Sequence, residues 1–342
     1  MNFENRIIDY CAGKTILVAG GAGMIGSNLA RELVKLGSHV IIIDNLWRGK
    51  IDNLKENNEF FIDINKDFIK ADLTDISLCR KYIKNFDIIY NLADIVSGIN
   101  FVFNNQSYIF RQNILINSNV LTAAIENSVN NYIYVGSACS YPAEKQAVLN
   151  PPPFKEEDVY PANPESAYGW SKLIGEYEAT IVREENKINV GILRLHNVYG
   201  INCELSTERS QVIPALIRKA INYPNENFIV WGSGNQRRAF VHVDDVVDAL
   251  LRLSFKGMNK GVIQIGPSTS ISIKEIAEII VSISGKKIPI RYDKSKPEGD
   301  IDRCANWNKA RQVLRWKPKV NIRDGIKNVY EWAEMKLKER HD

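Results

Sequence analysis

Thr15-Ile16-Leu17-Val18-Ala19 is a short apolar run rich in β-branched side chains. It passes straight into Gly20-Gly21-Ala22-Gly23-Met24-Ile25-Gly26, and then into a helical pattern of Ile25, Leu29, Leu33 and Leu36 that stops at Gly37. An apolar run of that length fits a buried parallel strand. Glycines at 20, 23 and 26 let the chain turn tightly, admit a phosphate group close to the backbone, and open a helix whose first N–H groups point outward. A second run, His39–Ile43, ends in Asp44, 18 residues beyond Gly26. A carboxylate at about that distance meets the adenosine ribose hydroxyls of a bound dinucleotide. It would repel a 2′-phosphate, so NAD is favoured over NADP; Arg48 is the nearby cation that argues the other way. Met24, Ile25 and Asn45 fall in the same contact zone. The competing reading is a tight glycine turn with no ligand.

The strand–helix rhythm continues. Phe68–Asp72 ends a third strand, where Asp72 and Leu73 are placed to reach the adenine. Ile88–Ala93 is a fourth, with Leu92 and Ala93 beside the cofactor. Residues 52–67 are polar and irregular, an excursion from the core. A helix is expected over 106–127. Its Asn113 and Asn117 have solvation as their ordinary fate, but an asparagine facing the sheet would steady neighbouring backbone, and Asn113 is included in the cofactor set. Tyr132–Val135 is a fifth strand that delivers Ser137 to the carboxyl edge, where open parallel sheets bind ligands. The fold class expected is α/β: a Rossmann-type doubly wound parallel sheet over 1–195, to which 240–265 return. A smaller α/β C-terminal substrate domain is expected from 196–239 and 266–342. A short leader helix over 1–13, an α-helix starting at His242–Asp245 with Asp244 as N-cap, and amphipathic helices over 274–281 and 323–336 complete the expectation. His242 reads as structural.

Tyr168 and Lys172 lie four residues apart on a helical segment, one above the other on the same face. A phenol has a pKa of about 10 and is a poor base at neutral pH. A nearby ammonium favours phenolate and lowers that value, as would a cationic nicotinamide ring. Tyr168 would then take a proton from a hydroxyl while hydride leaves the same carbon, with Ser137 holding that hydroxyl. A tyrosine and a lysine at this spacing also occur by chance on many surface helices; the glycine motif gives the pair its weight.

Composition excludes other classes. The chain has 342 residues, 45% hydrophobic and 25% charged, with a formal net charge of +4 and scattered lysines. That gives no reason to invoke nucleic acid or a membrane surface. Its five cysteines, Cys11, Cys79, Cys139, Cys203 and Cys304, include no CxxC pair, so neither a metal site nor a disulfide framework is indicated. No signal peptide and no bilayer-spanning run is read, and a cytoplasmic location is expected.

Together, Gly20–Gly26, Asp44, Asp72, Asn91-Leu92-Ala93, Ser137 and Tyr168–Lys172 resemble the extended short-chain dehydrogenase/reductase superfamily, in its NAD-dependent nucleotide-sugar epimerase/dehydratase branch. The resemblance covers nearly the whole chain. It implies an NAD-binding domain, a nucleoside-diphosphate sugar as substrate, and Ser137, Tyr168 and Lys172 as the hydride-transfer centre. The helices near 106–127 and 168–185 resemble those that form a four-helix homodimer interface in this family.

Within the branch, 4,6-dehydratases carry an Asp-Glu pair where this chain has Ala138 and Cys139, so dehydration lacks its carboxylates. Ser137-Ala138-Cys139-Ser140-Tyr141-Pro142 instead resembles the GDP-mannose 3,5-epimerases, and less closely the GDP-fucose synthases, which use a cysteine as acid/base. Arg194–Gly200 and Trp231–Phe240 resemble the same group, and Arg303 stands at its diphosphate-binding arginine. Ala138, Asn197, Gln211, Arg238 and Arg303 are accordingly the substrate-side candidates, with Ser137 and Cys139. A thiol has a pKa of about 8.5, and positive surroundings lower it enough to exchange the protons of C3 or C5 beside a C4 ketone. The ordinary fate of such a cysteine is a small buried core residue. The resemblance departs at Gln211, which occupies the slot of the second acid/base, since an amide cannot shuttle protons. Glu204, Glu208 and Arg209 are the nearby substitutes. The expected activity is an NAD-dependent, GDP-mannose 3,5-epimerase-like epimerisation with a GDP-sugar favoured. The alternatives are a 4-epimerase or C4 oxidoreductase on a GDP- or UDP-sugar, and a non-catalytic NAD-binding protein.

Overall fold

The computed structural model describes residues 3–339. Seven parallel strands make one sheet: β1 (Thr15–Ala19), β2 (His39–Asp44), β3 (Phe68–Lys70), β4 (Ile88–Asn91), β5 (Asn131–Ser137), β6 (Asn189–Leu195) and β7 (Val262–Ile265). Their spatial order is β7-β6-β5-β4-β1-β2-β3. The chain runs outward from β1 to β3, then returns to the other side of β1 with β4. The carboxyl ends of β1 and β4, at Ala19 and Asn91, are hydrogen-bonded neighbours, and the crevice for a ligand opens above this reversal. Alternation along β1 explains its unbroken apolar sequence. Ile16 and Val18 join one buried cluster with Leu29 and Leu33; Leu17 and Ala19 join the opposite one with Ile109 and Val120. Both faces are covered, so no position is left for a polar side chain.

The helices used below are α1 (Phe3–Cys11), α2 (Met24–Lys35), α3 (Gln106–Glu126), α4 (Ala167–Glu184), α5 (Val212–Asn222), α6 (Val243–Arg252), α7 (Ile273–Ser284) and α8 (Ile322–Lys338). The leader helix expected at the start is α1, and the excursion over 52–67 holds a small antiparallel ribbon pairing Lys55 with Phe60. Helices α3 and α4 pack side by side against the sheet. A third core gathers Ile213, Leu216 and Ile217 of α5, Ile276 and Ile280 of α7, and Ile326 and Val329 of α8. Local signals fix these helix ends: Ser272 and Glu275 form a reciprocal capping box on α7, and Gly285 closes it at φ 65°.

Residues 240–265 pass back to the large sheet. Phe240–His242 pairs with Asn197–Tyr199, α6 packs on α2, and β7 adds to the β6 edge. One expectation is corrected here. The α6 N-cap is His242, whose Nδ1 accepts from the Asp244 N–H at 3.3 Å. The strand runs into the helix without a turn, so its last residue caps, and Asp244 falls in the first turn. Among the described residues no helix is long and apolar enough to cross a membrane, and no cluster of three or more His, Cys, Asp or Glu could hold a metal ion.

Candidate active site

The glycine segment forms a cradle. Gly20 has φ +75°, and a Cβ on it would lie 2.8 Å from the Ala93 nitrogen; a Cβ on Gly26 would lie 2.3 Å from the Gly20 oxygen. Backbone alone fits there. Gly23 caps α2 without a side chain, which leaves the positive helix start open to an anion. Asp44 is buried and ties the cradle to β2. Its Oδ2 accepts from the Ala22 N–H at 3.0 Å and its Oδ1 from the Leu46 N–H at 2.7 Å. Burial raises the pKa of its carboxyl in spite of both bonds. Asn45 reaches Asp72 at 3.4 Å, and Arg48 donates to the Val96 carbonyl at 3.1 Å. Gly20, Gly23, Met24, Ile25, Gly26, Asp44, Asn45, Arg48, Asp72, Leu73, Leu92 and Ala93 all line one cleft of about 720 Å³. A side-chain-free cradle, an open helix start and a carboxylate at the end of β2 are the features a dinucleotide of the NAD type requires, so the residues fit that group.

Two expected contacts are corrected. Asn113 is fully buried beneath the cleft, its Oδ1 accepting from the Ile95 N–H at 2.7 Å and its Nδ2 donating to Ser171 Oγ at 3.2 Å. It pins the segment after β4 rather than lining the cleft, because α3 turns this face to the sheet. Ala138 is also fully buried and packs with Tyr141, Phe154 and Leu173. The turn Ala138–Ser140 that follows β5 sends Cys139 to the cleft and Ala138 inward.

Tyr168, Lys172, Ser137 and Cys139 line the same cleft. Ser166 caps α4 through a bond to the Gly169 N–H at 3.3 Å, which sets Tyr168 in the first turn and Lys172 one turn later. Lys172 is buried, and its ammonium donates to the Val135 carbonyl at 3.0 Å. The sequence did not single out its second partner: Asp94 Oδ2 lies 2.9 Å from Lys172 Nζ, and the Tyr168 hydroxyl donates to the same oxygen at 3.3 Å. The expectation of a depressed Tyr168 pKa is corrected accordingly. Burial raises it well above the ordinary phenol value, the Asp94 charge adds to this, and a hydrogen bond with Ser137 opposes only in part.

Across the cleft, Arg303 and Arg238 form a buried cationic wall. Arg303 donates to Gln146 Oε1 at 2.6 Å, Asp300 Oδ2 at 2.7 Å and Asn197 Oδ1 at 3.3 Å, and its Nη2 lies 3.6 Å from Cys139 Sγ. Arg238 donates to the Asp300 carbonyl at 2.6 Å and the Glu298 carbonyl at 3.3 Å. Asp300 stays below the usual carboxylate range, since Arg303 and Arg238 more than offset its burial. Gln211, at the N-cap of α5, lines the cleft with no side-chain capping bond. Of the substitutes considered for it, Glu204 is paired with Lys50 at 3.2 Å and Arg209 donates to the Trp47 carbonyl at 2.5 Å; Glu208 lines the cleft. Sequence reasoning also missed Glu165. It stands at the cleft rim three residues before Tyr168 with its residue surface exposed, and partial desolvation of its carboxyl and the neighbouring Asp300 push it up to about 7. Only its place one turn ahead of the tyrosine hinted at it.

Comparison with known proteins agrees with this geometry. Residues 16–266 match the NAD dependent epimerase/dehydratase family. The chain is 32% identical over 322 residues to a GDP-mannose 3,5-epimerase of Arabidopsis thaliana, covering 94% of this chain and 82% of the relative. It is 29% identical over 335 residues to a dTDP-4-dehydro-6-deoxy-D-allose reductase of a Streptomyces species, covering 96% and 98%. The structure of Thermotoga maritima UDP-glucose 4-epimerase with UDP-glucose superposes with a TM-score of 0.83 at 26% identity, over 94% of this chain and 99% of that one. The chain belongs to the NAD-dependent epimerase/dehydratase family, as an enzyme with NAD as its cofactor.

Proposed function

We propose that this enzyme epimerises a nucleoside-diphosphate sugar, with a GDP-sugar favoured, at C3 or C5 by way of a C4 ketone. The observation that carries the reading is Cys139. Its sulfur faces the cleft beside Ser137, with the Arg303 guanidinium 3.6 Å away. A cleft-facing sulfur is placed to exchange a carbon-bound proton, and the guanidinium beside it would hold a sugar diphosphate or an enolate oxygen close to that sulfur. NAD supplies the hydride acceptor, and afterwards the donor, for C4. Ser137 holds the C4 hydroxyl, and Tyr168 takes its proton and later returns it. While C4 is a ketone, Cys139 removes the proton now acidified on its neighbour. Glu165 supplies the acid/base function that Gln211 cannot, because a carboxyl with a pKa of about 7 both gives and takes protons at neutral pH. Arg238 and Arg303 are read as binding the diphosphate, with Asn197 orienting Arg303. Asp44, Asn45, Asp72 and Leu73 are read as holding the adenosine half of the cofactor. Tyr108 and Leu115 on α3, with Trp170 and Tyr177 on α4, are exposed; they support a homodimer through those two helices.

A second reading, C4 epimerisation or net C4 oxidoreduction, is favoured by Gln211 and by the likeness to a UDP-glucose 4-epimerase. One experiment separates the two. The protein is incubated with GDP-mannose and a panel of nucleotide sugars in deuterated water, and products are read by NMR. Deuterium at C3 or C5 that disappears in Cys139→Ala is the expected result. Turnover without deuterium, unchanged in Cys139→Ala, would overturn the cysteine chemistry in favour of the second reading.

A further inference from the structure

The Tyr168–Lys172 pair is not alone in its part of the cleft. Asp94, three residues past the end of β4, puts one carboxylate oxygen against both, at 2.9 Å from Lys172 Nζ and 3.3 Å from the Tyr168 hydroxyl. We infer that Asp94 is a positioning residue that sets the protonation state of Tyr168, by neutralising Lys172 and accepting the phenol's hydrogen bond.

The argument is electrostatic. An ammonium close to a tyrosine lowers its pKa only if its field reaches the hydroxyl uncompensated. Here the lysine is buried, and its positive charge is met by a carboxylate at contact distance. The same carboxylate accepts the phenol's hydrogen bond at 3.3 Å, and a negative charge there favours the form of Tyr168 that keeps a proton to donate. The other groups facing the site do not reverse this. Tyr134, from β5, is buried with its ring 5.5 Å from Lys172 Nζ and is a neutral phenol. Cys139, from the turn after β5, adds to Asp94 in disfavouring phenolate, while Ser137 donates modest help the other way. Around Tyr168 the Lys172 ammonium is therefore offset by the Asp94 carboxylate, and the phenol stays neutral. A neutral phenol is a proton donor, so the site rests in the form that protonates a C4 ketone oxygen. Deprotonating an alcohol requires added positive charge in the cleft to offset Asp94.

The test reads Tyr168 directly and needs no substrate, so it stands or falls apart from the proposed reaction. Protein carrying 13Cζ-tyrosine is titrated by NMR, and the Tyr168 resonance is identified as the one lost in Tyr168→Phe. Asp94→Asn keeps an oxygen for Lys172 and removes only the charge. In it the Tyr168 titration is expected to fall by about 1–3 pH units, the range over which one adjacent charge acts. Asp94→Ala, a second variant in case the first packs poorly, is expected to shift it the same way, and Asp94→Glu to restore the high value. The acid limb of C4 oxidation with any accepted nucleotide sugar is expected to move by the same amount. A Tyr168 titration that stays put or rises in Asp94→Asn and Asp94→Ala would overturn the inference.

Discussion

In the proposed reaction Glu165 and Cys139 divide the proton work at the sugar ring, and each would leave its own signature. Glu165 sits with Asp300, Arg238 and Arg303, and its carboxyl has been pushed up to about 7, chiefly by partial desolvation and then by the Asp300 charge. As a base it acts only when deprotonated, so proton exchange that depends on it is expected to fall as pH drops through about 7. Glu165→Gln should remove that inflection and lower exchange at one ring carbon by about 10²–10⁴-fold, the usual contribution of a placed acid/base. Rates of solvent exchange measured across pH by NMR check both. Tyr168 and Lys172 could be picked out by their four-residue spacing, Ser137 by its place at a strand end, and Cys139 only by the resemblance; the fold brings all four to one cleft. Asp94 was not legible, since its contact with Tyr168 spans 74 residues and no local pattern announces a partner that far away. Ala138 and Asn113 were misread for a related reason. Their neighbours line the cleft, and only the direction of each side chain separates a cleft residue from a support beneath it.

At the scale of elements, the strand-to-helix junctions carry both the fold and the site. The turn from β1 into α2 has no room for a side chain at Gly20 or Gly26, and Gly26→Val is expected to abolish NAD binding, as read by calorimetric titration, because any Cβ there meets the Gly20 oxygen at 2.3 Å. Strands β1 to β5 were readable as apolar runs, and α2, α7 and α8 as periodic patterns; β6 and β7 were not singled out as strands. The cap of α6 was not readable, because a histidine ending a strand is no standard start signal. A buried ion pair joins α4 to β6: Arg194 reaches Glu176 through Nε at 3.1 Å and Nη2 at 2.7 Å. It presses on β5 at Gly136, where a Cβ would lie 2.1 Å from Glu176 Oε1. Position 137 is thus set by a charge pair one residue behind it. Removing one partner leaves a charge buried alone, so Glu176→Ala is expected to cost about 3–5 kcal/mol of stability in chemical denaturation.

For the molecule as a whole, the cleft draws its walls from both the large sheet and the small C-terminal core, so a ligand spanning it stabilises the two together. NAD at 100 times its dissociation constant is expected to add about 2.7 kcal/mol to the unfolding free energy, read as a raised thermal midpoint. Absence of any NAD-dependent shift would contradict the cradle described above. The order of the chain has a consequence for how the protein is made. Strand β7, the outer neighbour of β6, is Val262–Ile265, and it is synthesised only after α5, the first helix of the small core, has been made. A nascent chain that stops short of it leaves the β6 edge unpaired, a template for joining another chain. During translation the large sheet stays open along that side until residue 265 has emerged, and ribosome-bound chains arrested before and after that point should differ sharply in their tendency to aggregate.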